Sequence, residues 1–429
     1  MRLGGRLAAA IDVLDDMEKR HRPVAEALKD WGLSHRFAGA GDRAAIGNIV
    51  YDALRRKRSG EWLFGAETTR ARAFAALMRE GERTPASLNA ELTGDRFAPA
   101  LLSEPEIAHL ETFAIDDAPA AVVADCPDWC APLFEHAFGA AWVEECAALA
   151  TRPPLDLRVN TLKADRGRVL AALSASDGRA TAIAPQGIRI PPIKADGRHP
   201  NVQVEPAFQK GWFEVQDEGS QIVAALAAAR SPVQVLDYCA GAGGKTLALS
   251  ASLGNHGQIF AYDSDKTRLA PIFDRLRRSG SRNVQIVTDE GALGTHLNAM
   301  DLVLVDAPCT GSGTWRRRPD AKWRLTDRQL EVRRKEQADI LDHAARYVRS
   351  GGMLAYVTCS LFREENSDQV EAFCERNPAF RPVDHRAFWE AVFPGGDSKV
   401  RIDQKAGIVL TPLRTATDGF FFAALERAA

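Results

Sequence analysis

Five short apolar runs constrain this chain more than anything else in it. They are Val233–Leu236, Gln258–Tyr262, Asn283–Val287, Leu302–Val305 and Met353–Val357, and segments of helical pattern lie between them. Short continuous apolar runs read as strands buried on both faces. Their alternation with helices predicts a parallel sheet covered on both sides. Two of the runs lead directly into a cysteine, in Asp306-Ala307-Pro308-Cys309 and in Thr358-Cys359-Ser360. A thiol just past such a strand lies at the rim where open α/β sheets bind ligands. Two rim thiols in one sheet suggest covalent chemistry, with one attacking and the other assisting.

The first run enters Asp237-Tyr238-Cys239-Ala240-Gly241-Ala242-Gly243-Gly244-Lys245-Thr246. Strand, glycine turn and helix in that order form a ligand corner, because glycines and a helix N-terminus let backbone N–H groups approach the ligand. A phosphate-binding P-loop would need glycine at position 239, and a dinucleotide fold would need glycine at position 246. Asp263 closes the second run, about two dozen residues after the turn, where an acid can hold both ribose hydroxyls. A ligand with an adenosine and no phosphate fits this corner, and S-adenosylmethionine meets that description. Asp263 as a mere helix N-cap beside Ser264-Asp265 is the plainer alternative. Asp289 ends the third run and is placed to reach the adenine edge, or is an ordinary turn acid.

Upstream, Leu7, Ile11, Leu14 and Met17 recur at helical spacing, and residues 42–56 form an amphipathic segment, acidic at its start and basic at its end. Residues 1–58 carry 12 Lys+Arg against 8 Asp+Glu, which suits either a solvated helical surface or one that faces RNA. Near residue 126 the pattern changes, with strands at 155–160 and 187–190 around a helix at 169–173. The chain therefore divides into an all-α region at 1–125, a small α+β module at 126–205 and a Rossmann-like α/β domain at 206–429. With 429 residues it is too long for one ordinary domain. A net charge of -2 does not mark the whole chain as a nucleic-acid binder, but residues 316–335 hold nine basic and three acidic side chains. Arg316, Arg317 and Arg318 are candidate phosphate contacts there, and Trp315 and Trp323 are either base-stacking or core residues. No apolar run reaches the roughly 18 residues of a membrane span.

Seven cysteines, odd in number and scattered, argue against a disulfide framework and for a reducing cytoplasm. Cys126 and Cys130 lack a second ligand pair, so no metal site is expected. Cys239 is read as packing on the cofactor through its backbone, and Cys146 and Cys374 as helix residues.

With these residues in place the chain resembles the RsmB-type family of RNA cytosine-5 methyltransferases, in the wider Nop/Sun group. The motifs that carry the likeness are Asp306 to Thr314 with Arg318-Pro319-Asp320, and Thr358-Cys359-Ser360 with Glu364-Glu365-Asn366. Gln216 to Ser220, Arg158-Val159-Asn160 and Asp418-Gly419-Phe420-Phe421 add to it. The helical start is similar to the NusB-like RNA-binding extension of bacterial members. One departure stands out: Gly241-Ala242 replaces the Ala-Pro of the usual glycine turn, which adds backbone freedom and predicts weaker cofactor binding.

The resemblance implies S-adenosylmethionine held by residues 239–245, Asp263, Asp289 and Asp306. It implies Cys359 as nucleophile, Cys309 as the release thiol and Asp306 as the acid at N3 of the base. Arg158 and Asn160 would face RNA or the target base. The expected activity is 5-methylcytosine formation in small-subunit ribosomal RNA, by a cytoplasmic monomer that needs no membrane. Transfer RNA as substrate, a P-loop nucleotide hydrolase and a non-catalytic assembly factor are the alternatives.

Overall fold

The C-terminal sheet is built as the apolar runs require. The computed structural model describes every residue except 196, 397 and 398. Five parallel strands form the centre: β5 (Gln234–Asp237), β6 (Gln258–Tyr262), β7 (Val284–Val287), β8 (Met300–Asp306) and β9 (Val348–Thr358). Alternate residues of each strand feed opposite layers. Val303, Val305, Leu354 and Tyr356 enter one core, and Leu302, Leu304, Met353, Ala355 and Val357 the other. Both layers are covered, which is why these runs are apolar at every position rather than alternating.

The C-terminal edge was not foreseen. Strand β13 (Phe420–Arg427) pairs antiparallel with β9, and β10 (Phe380–Pro382), β12 (Gly407–Leu410) and β11 (Arg401–Asp403) continue the sheet from it, each antiparallel to the strand it pairs with. The order is β11-β12-β13-β9-β8-β5-β6-β7, with β10 paired to β13. Sequence neighbours β5 and β6 are adjacent, while β8 lies on the other side of β5. The strand order therefore reverses at the C-terminal end of β5, the place where ligands bind in open α/β sheets. A smaller antiparallel sheet, β2-β3-β1-β4, comprises β1 (Leu155–Val159), β2 (Arg179–Ala180), β3 (Gly187–Ile190) and β4 (Phe213–Val215).

Contacts divide the chain into two units. One holds residues 1–153, 192–199 and 314–325; the other holds 154–191, 200–313 and 326–429. The helix Ala131–Phe138 groups with the helical unit, where Phe134 packs on Trp315 with ring centroids 5.7 Å apart. The helical unit is an α-domain as expected, with Leu7, Leu14, Met17, Ile46, Val50 and Phe74 in one core. Among the described residues no helix is long and apolar enough to cross a membrane.

Candidate active site

Parallel pairing of β8 with β9 places Asp306 beside Val357. Each strand then turns out of the sheet, and the two turns bring Cys309 Sγ and Cys359 Sγ to 3.4 Å. Both thiols are half-buried. The Cys359 turn is held by a web of short-range bonds. Cys359 O accepts from Gly313 N (3.0 Å), and Ser360 Oγ meets Ser312 Oγ (3.0 Å) and accepts from Phe362 N (3.1 Å). Asn366 donates to Ser360 O (2.9 Å) and takes the Thr358 hydroxyl (2.5 Å).

Gly313 and Gly419 are required by a backbone crossing. A Cβ on Gly313 would lie 2.3 Å from Gly419 O, and one on Gly419 would lie 2.5 Å from Gly313 Cα. This contact ties the Asp418-Gly419 segment to the turn that carries Cys309, and Gly419 N also donates to Gly313 O at 2.8 Å. Cys309 is pushed well above the ordinary thiol range, first by its hydrogen bond to Cys359 and then by burial.

The glycine corner stands beside the thiols. Gly241 (φ +48°) and Gly243 (φ +82°) adopt left-handed backbone, and a Cβ on Gly243 would lie 2.5 Å from Ile272. Asp263 Oδ2 accepts from Gly241 N (2.9 Å), and its Oδ1 accepts from Asp265 N (2.9 Å). The helix cap is Asp265, which bonds Thr267 N and Arg268 N. Asp263 is thus free of that duty, and each of its oxygens keeps a lone pair for a hydroxyl. At the Gly241-Ala242 departure, Gly241 uses a conformation that favours glycine, and Arg275 donates to Ala242 O (2.7 Å). Asp289 is exposed and accepts from Gly291 N at 3.2 Å.

Charge decides what the corner can hold. Lys245 Nζ is paired with Asp306 Oδ2 at 2.5 Å. Asp237 is buried, accepts the Thr246 hydroxyl at 2.6 Å and leaves its second oxygen without a partner. Burial, with Asp306 and Asp263 adding to it, pushes the Asp237 carboxyl up to about 7. The same three carboxylates and burial raise Cys239, which keeps that thiol inert. A rim with three acids and one committed lysine repels a triphosphate and attracts a cation. Thr246, bound to Asp237, is also occupied where an NTPase would use it on magnesium. S-adenosylmethionine, with its sulfonium and ammonium, fits the residues present.

Residues 224–426 match the family described as 16S rRNA methyltransferase RsmB/F, and residues 126–192 match the ferredoxin-like domain of the same group. A protein of Synechocystis named probable ribosomal RNA small subunit methyltransferase B is 33% identical over 311 residues, covering 70% of this chain and 67% of that one. The chain belongs to the RsmB/F methyltransferase family. A Citrobacter koseri member, ribosomal RNA small subunit methyltransferase B, is 31% identical over 70% of this chain and 66% of its own length. The chain thus spans about two thirds of each relative. The structure of NSun6 from Pyrococcus horikoshii with SFG, an S-adenosylmethionine analogue, shares the fold. Its TM-score is 0.61 at 20% identity, over 72% of this chain and 100% of that one. This RsmB/F member is an S-adenosylmethionine-dependent RNA methyltransferase.

Several candidate RNA contacts fall elsewhere than expected. Asn160 is buried, and its amide donates to Gly211 O and Ser279 O, both at 2.8 Å. It ties loops together and is closed to RNA. Arg158 is also buried, so burial lowers its guanidinium to about 10. Its Nε donates to Gln216 (2.6 Å), which in turn donates to Gly244 O (3.3 Å), so it braces the glycine turn. Arg316 is buried in the helical unit, while Arg317 is half-buried and Arg318 exposed. Trp315 is wholly buried, and Trp323 donates to Leu54 O at 2.6 Å. Trp315 is a core residue, and Trp323 packs partly buried against the helical core. The sequence reading gave Glu365 no role, although its motif was legible.

Proposed function

We propose that this methyltransferase forms 5-methylcytosine in small-subunit ribosomal RNA, acting as a cytoplasmic monomer, with Cys359 as nucleophile and Cys309 as the release thiol. The observation that carries this is the 3.4 Å approach of two half-buried thiols beside Asp306. Position 5 of cytosine is too poor a nucleophile to react unaided. The Cys359 thiolate adds to position 6, forming the C–S bond and moving the ring's electron pair toward position 5. Asp306 holds the N3 edge and relays to it the proton that the paired Lys245 ammonium supplies as the ring becomes an enamine, and that proton returns by the same route on release. Lys245 fixes the carboxylate for that contact. The bound cofactor supplies an electrophilic methyl group for position 5.

Release needs the position 5 proton removed and the C–S bond broken. Cys309 is the base for that step, and its timing follows from its surroundings. The largest push on Cys309 comes from the neighbouring sulfur of Cys359. Once that sulfur is bonded to carbon it no longer opposes a second thiolate, so Cys309 gives its own proton to solvent, takes the position 5 proton as the C5–C6 double bond re-forms, and Cys359 departs with the C–S electron pair as a thiolate. The target base must be unpaired or flipped to reach these thiols. Small-subunit ribosomal RNA is favoured over transfer RNA because the relatives are named ribosomal RNA small subunit methyltransferases. Bisulfite sequencing of total RNA from cells with and without this protein tests the reading. One cytosine in 16S RNA should lose protection, and loss confined to transfer RNA would overturn the substrate.

A further inference from the structure

Neither sheet ladder explains why Cys309 stays 3.4 Å from Cys359. The two thiols sit on separate turns past the ends of β8 and β9, beyond the last paired residues Asp306 and Val357. What joins the turns is a buried carboxylate. Glu365 is 0% exposed and follows Cys359 by six residues, in the short turn Arg363–Glu365. Its backbone carbonyl accepts from Tyr356 OH at 2.6 Å, so it is fixed to β9 and moves with the nucleophile's strand.

Its side chain holds the other turn. Glu365 Oε1 accepts from Thr310 N at 2.9 Å, and Oε2 takes the Thr310 hydroxyl. Gln337, on the helix Asp327–Ala345, donates to Glu365 Oε1 and to Pro308 O, both at 2.9 Å. Cys309 is therefore gripped on each side, at Pro308 through Gln337 and at Thr310 by Glu365 directly. Burying a carboxylate is expensive unless donors surround it. Here burial raises the Glu365 carboxyl while Ser360, Thr310 and Gln337 stabilise its charge. An apolar side chain would fill this place at lower cost but could not hold Thr310 N.

We propose that Glu365, with Gln337, is a positioning residue that sets the distance between the two thiols and so governs release rather than addition. This rests on the division of roles between Cys359 and Cys309 proposed above. Cys359 has its own supports in Gly313, Ser312 and Asn366. Loss of the clamp should leave addition and methyl transfer intact. Cys309 would drift from the position 5 proton, and the methylated RNA would stay attached through sulfur.

The test uses the full chain, a 16S RNA transcript and labelled S-adenosylmethionine. It reads free methylated RNA, the covalent protein–RNA band on a denaturing gel, and thermal melting. Glu365→Ala should cut turnover by about 10- to 100-fold and raise the covalent band above wild type, as a weaker copy of Cys309→Ala. Glu365→Gln keeps an acceptor for Thr310 N and should restore turnover to within a few-fold and clear the band. Should Glu365→Ala not fold, Gln337→Ala carries the same test, since it removes the grip on Pro308 and one donor to Glu365 while leaving the Glu365–Thr310 bonds in place. A covalent band in Cys309→Ala but in neither clamp variant would overturn the positioning role alone. No band in Cys309→Ala would overturn the thiol roles themselves, and the inference with them. Equal defects in Glu365→Gln and Glu365→Ala would also count against it.

Discussion

Two thiol clusters in this molecule make an instructive pair. At the sheet rim, Cys309 and Cys359 lie half-buried past the ends of two parallel strands, among carboxylates and a glycine turn. In the helical unit, Cys126 hydrogen-bonds with both Cys130 and Cys146, and all three are buried. The two thiol donors and nearby Lys322 pull Cys126 down to about 5, against its burial. Yet Lys322 is itself buried, and its ammonium is spent on Arg55 O (3.1 Å) and Asp125 O (2.7 Å). No substrate can reach that cluster. A low thiol pKa does not make a nucleophile without access, and the rim supplies access because parallel strands end there.

Substitution at the two clusters should separate them by orders of magnitude. Cys359→Ala should abolish turnover and any covalent RNA adduct. Cys309→Ala should lower turnover by about 10²- to 10⁴-fold while a methylated adduct accumulates. Cys126→Ala should leave kcat and KM within about twofold of wild type and reduce only thermal stability, by the about 1–3 kcal/mol typical of disturbing a buried hydrogen-bonded group. Methyl-transfer kinetics and denaturing gels on the three variants decide it. A large kcat loss in Cys126→Ala would erase the distinction.

Buried charge sharpens the same contrast. Burial lowers Lys322 and raises Asp237, each toward its neutral form. Unfolded, the Asp237 carboxyl ionises near its ordinary 3.8; folded, it does so at about 7. Below pH 4 both states are protonated and nothing is lost. Between pH 4 and 7 the unfolded chain ionises first, so folding is progressively penalised. Above pH 7 the penalty is complete, up to about 4 kcal/mol for a shift of this size. Asp237→Asn should therefore gain stability over wild type as pH rises from 4 to 8, read by urea melts without cofactor. Saturating S-adenosylmethionine, a cation that favours the wild-type carboxylate, should narrow the gap. A gap that does not change with pH would remove Asp237 as a titrating group.

Packing at the rim gives a smaller effect. Gly313→Ala forces a Cβ to 2.3 Å from Gly419 O, so the crossing must open. The expected loss is about 1–3 kcal/mol of stability, with reduced kcat because Gly313 N also holds Cys359 O. An alanine variant that melts and turns over like wild type would show that the crossing is not tight.

What was legible in sequence follows from what sequence encodes. The central strands could be read because burial on both faces leaves continuous apolar runs such as Leu302–Val305. Strand β13 was missed because Asp418-Gly419-Phe420-Phe421 was read as a motif, and β11 and β12 are too short to show alternation. The thiols and glycine turn were legible because their chemistry demands residue types at fixed spacing. Asn160 was misread because a motif position does not say whether its side chain faces a ligand or a neighbouring carbonyl, and here it faces two. Glu365 was overlooked for the same reason: its partners Thr310 and Gln337 are 55 and 28 residues away.

The arginine run 316–318 shows how finely exposure divides one motif, and it supplies the smallest expected effect. The three side chains look alike in sequence, but they pass from buried to half-buried to exposed along the run. The backbone carbonyl of Arg316 accepts from Arg55 Nε at 2.7 Å inside the helical unit. Only an exposed cation can release a counterion when phosphate arrives. Arg318→Ala should therefore weaken RNA binding and reduce the slope of log affinity against log salt by about one. Arg316→Ala should lower the melting temperature and leave that slope unchanged. Filter binding of a 16S RNA transcript across a salt series compares them directly. Equal slope changes would mean that burial does not separate the two, and the distinction between rim and interior would not extend to RNA contact.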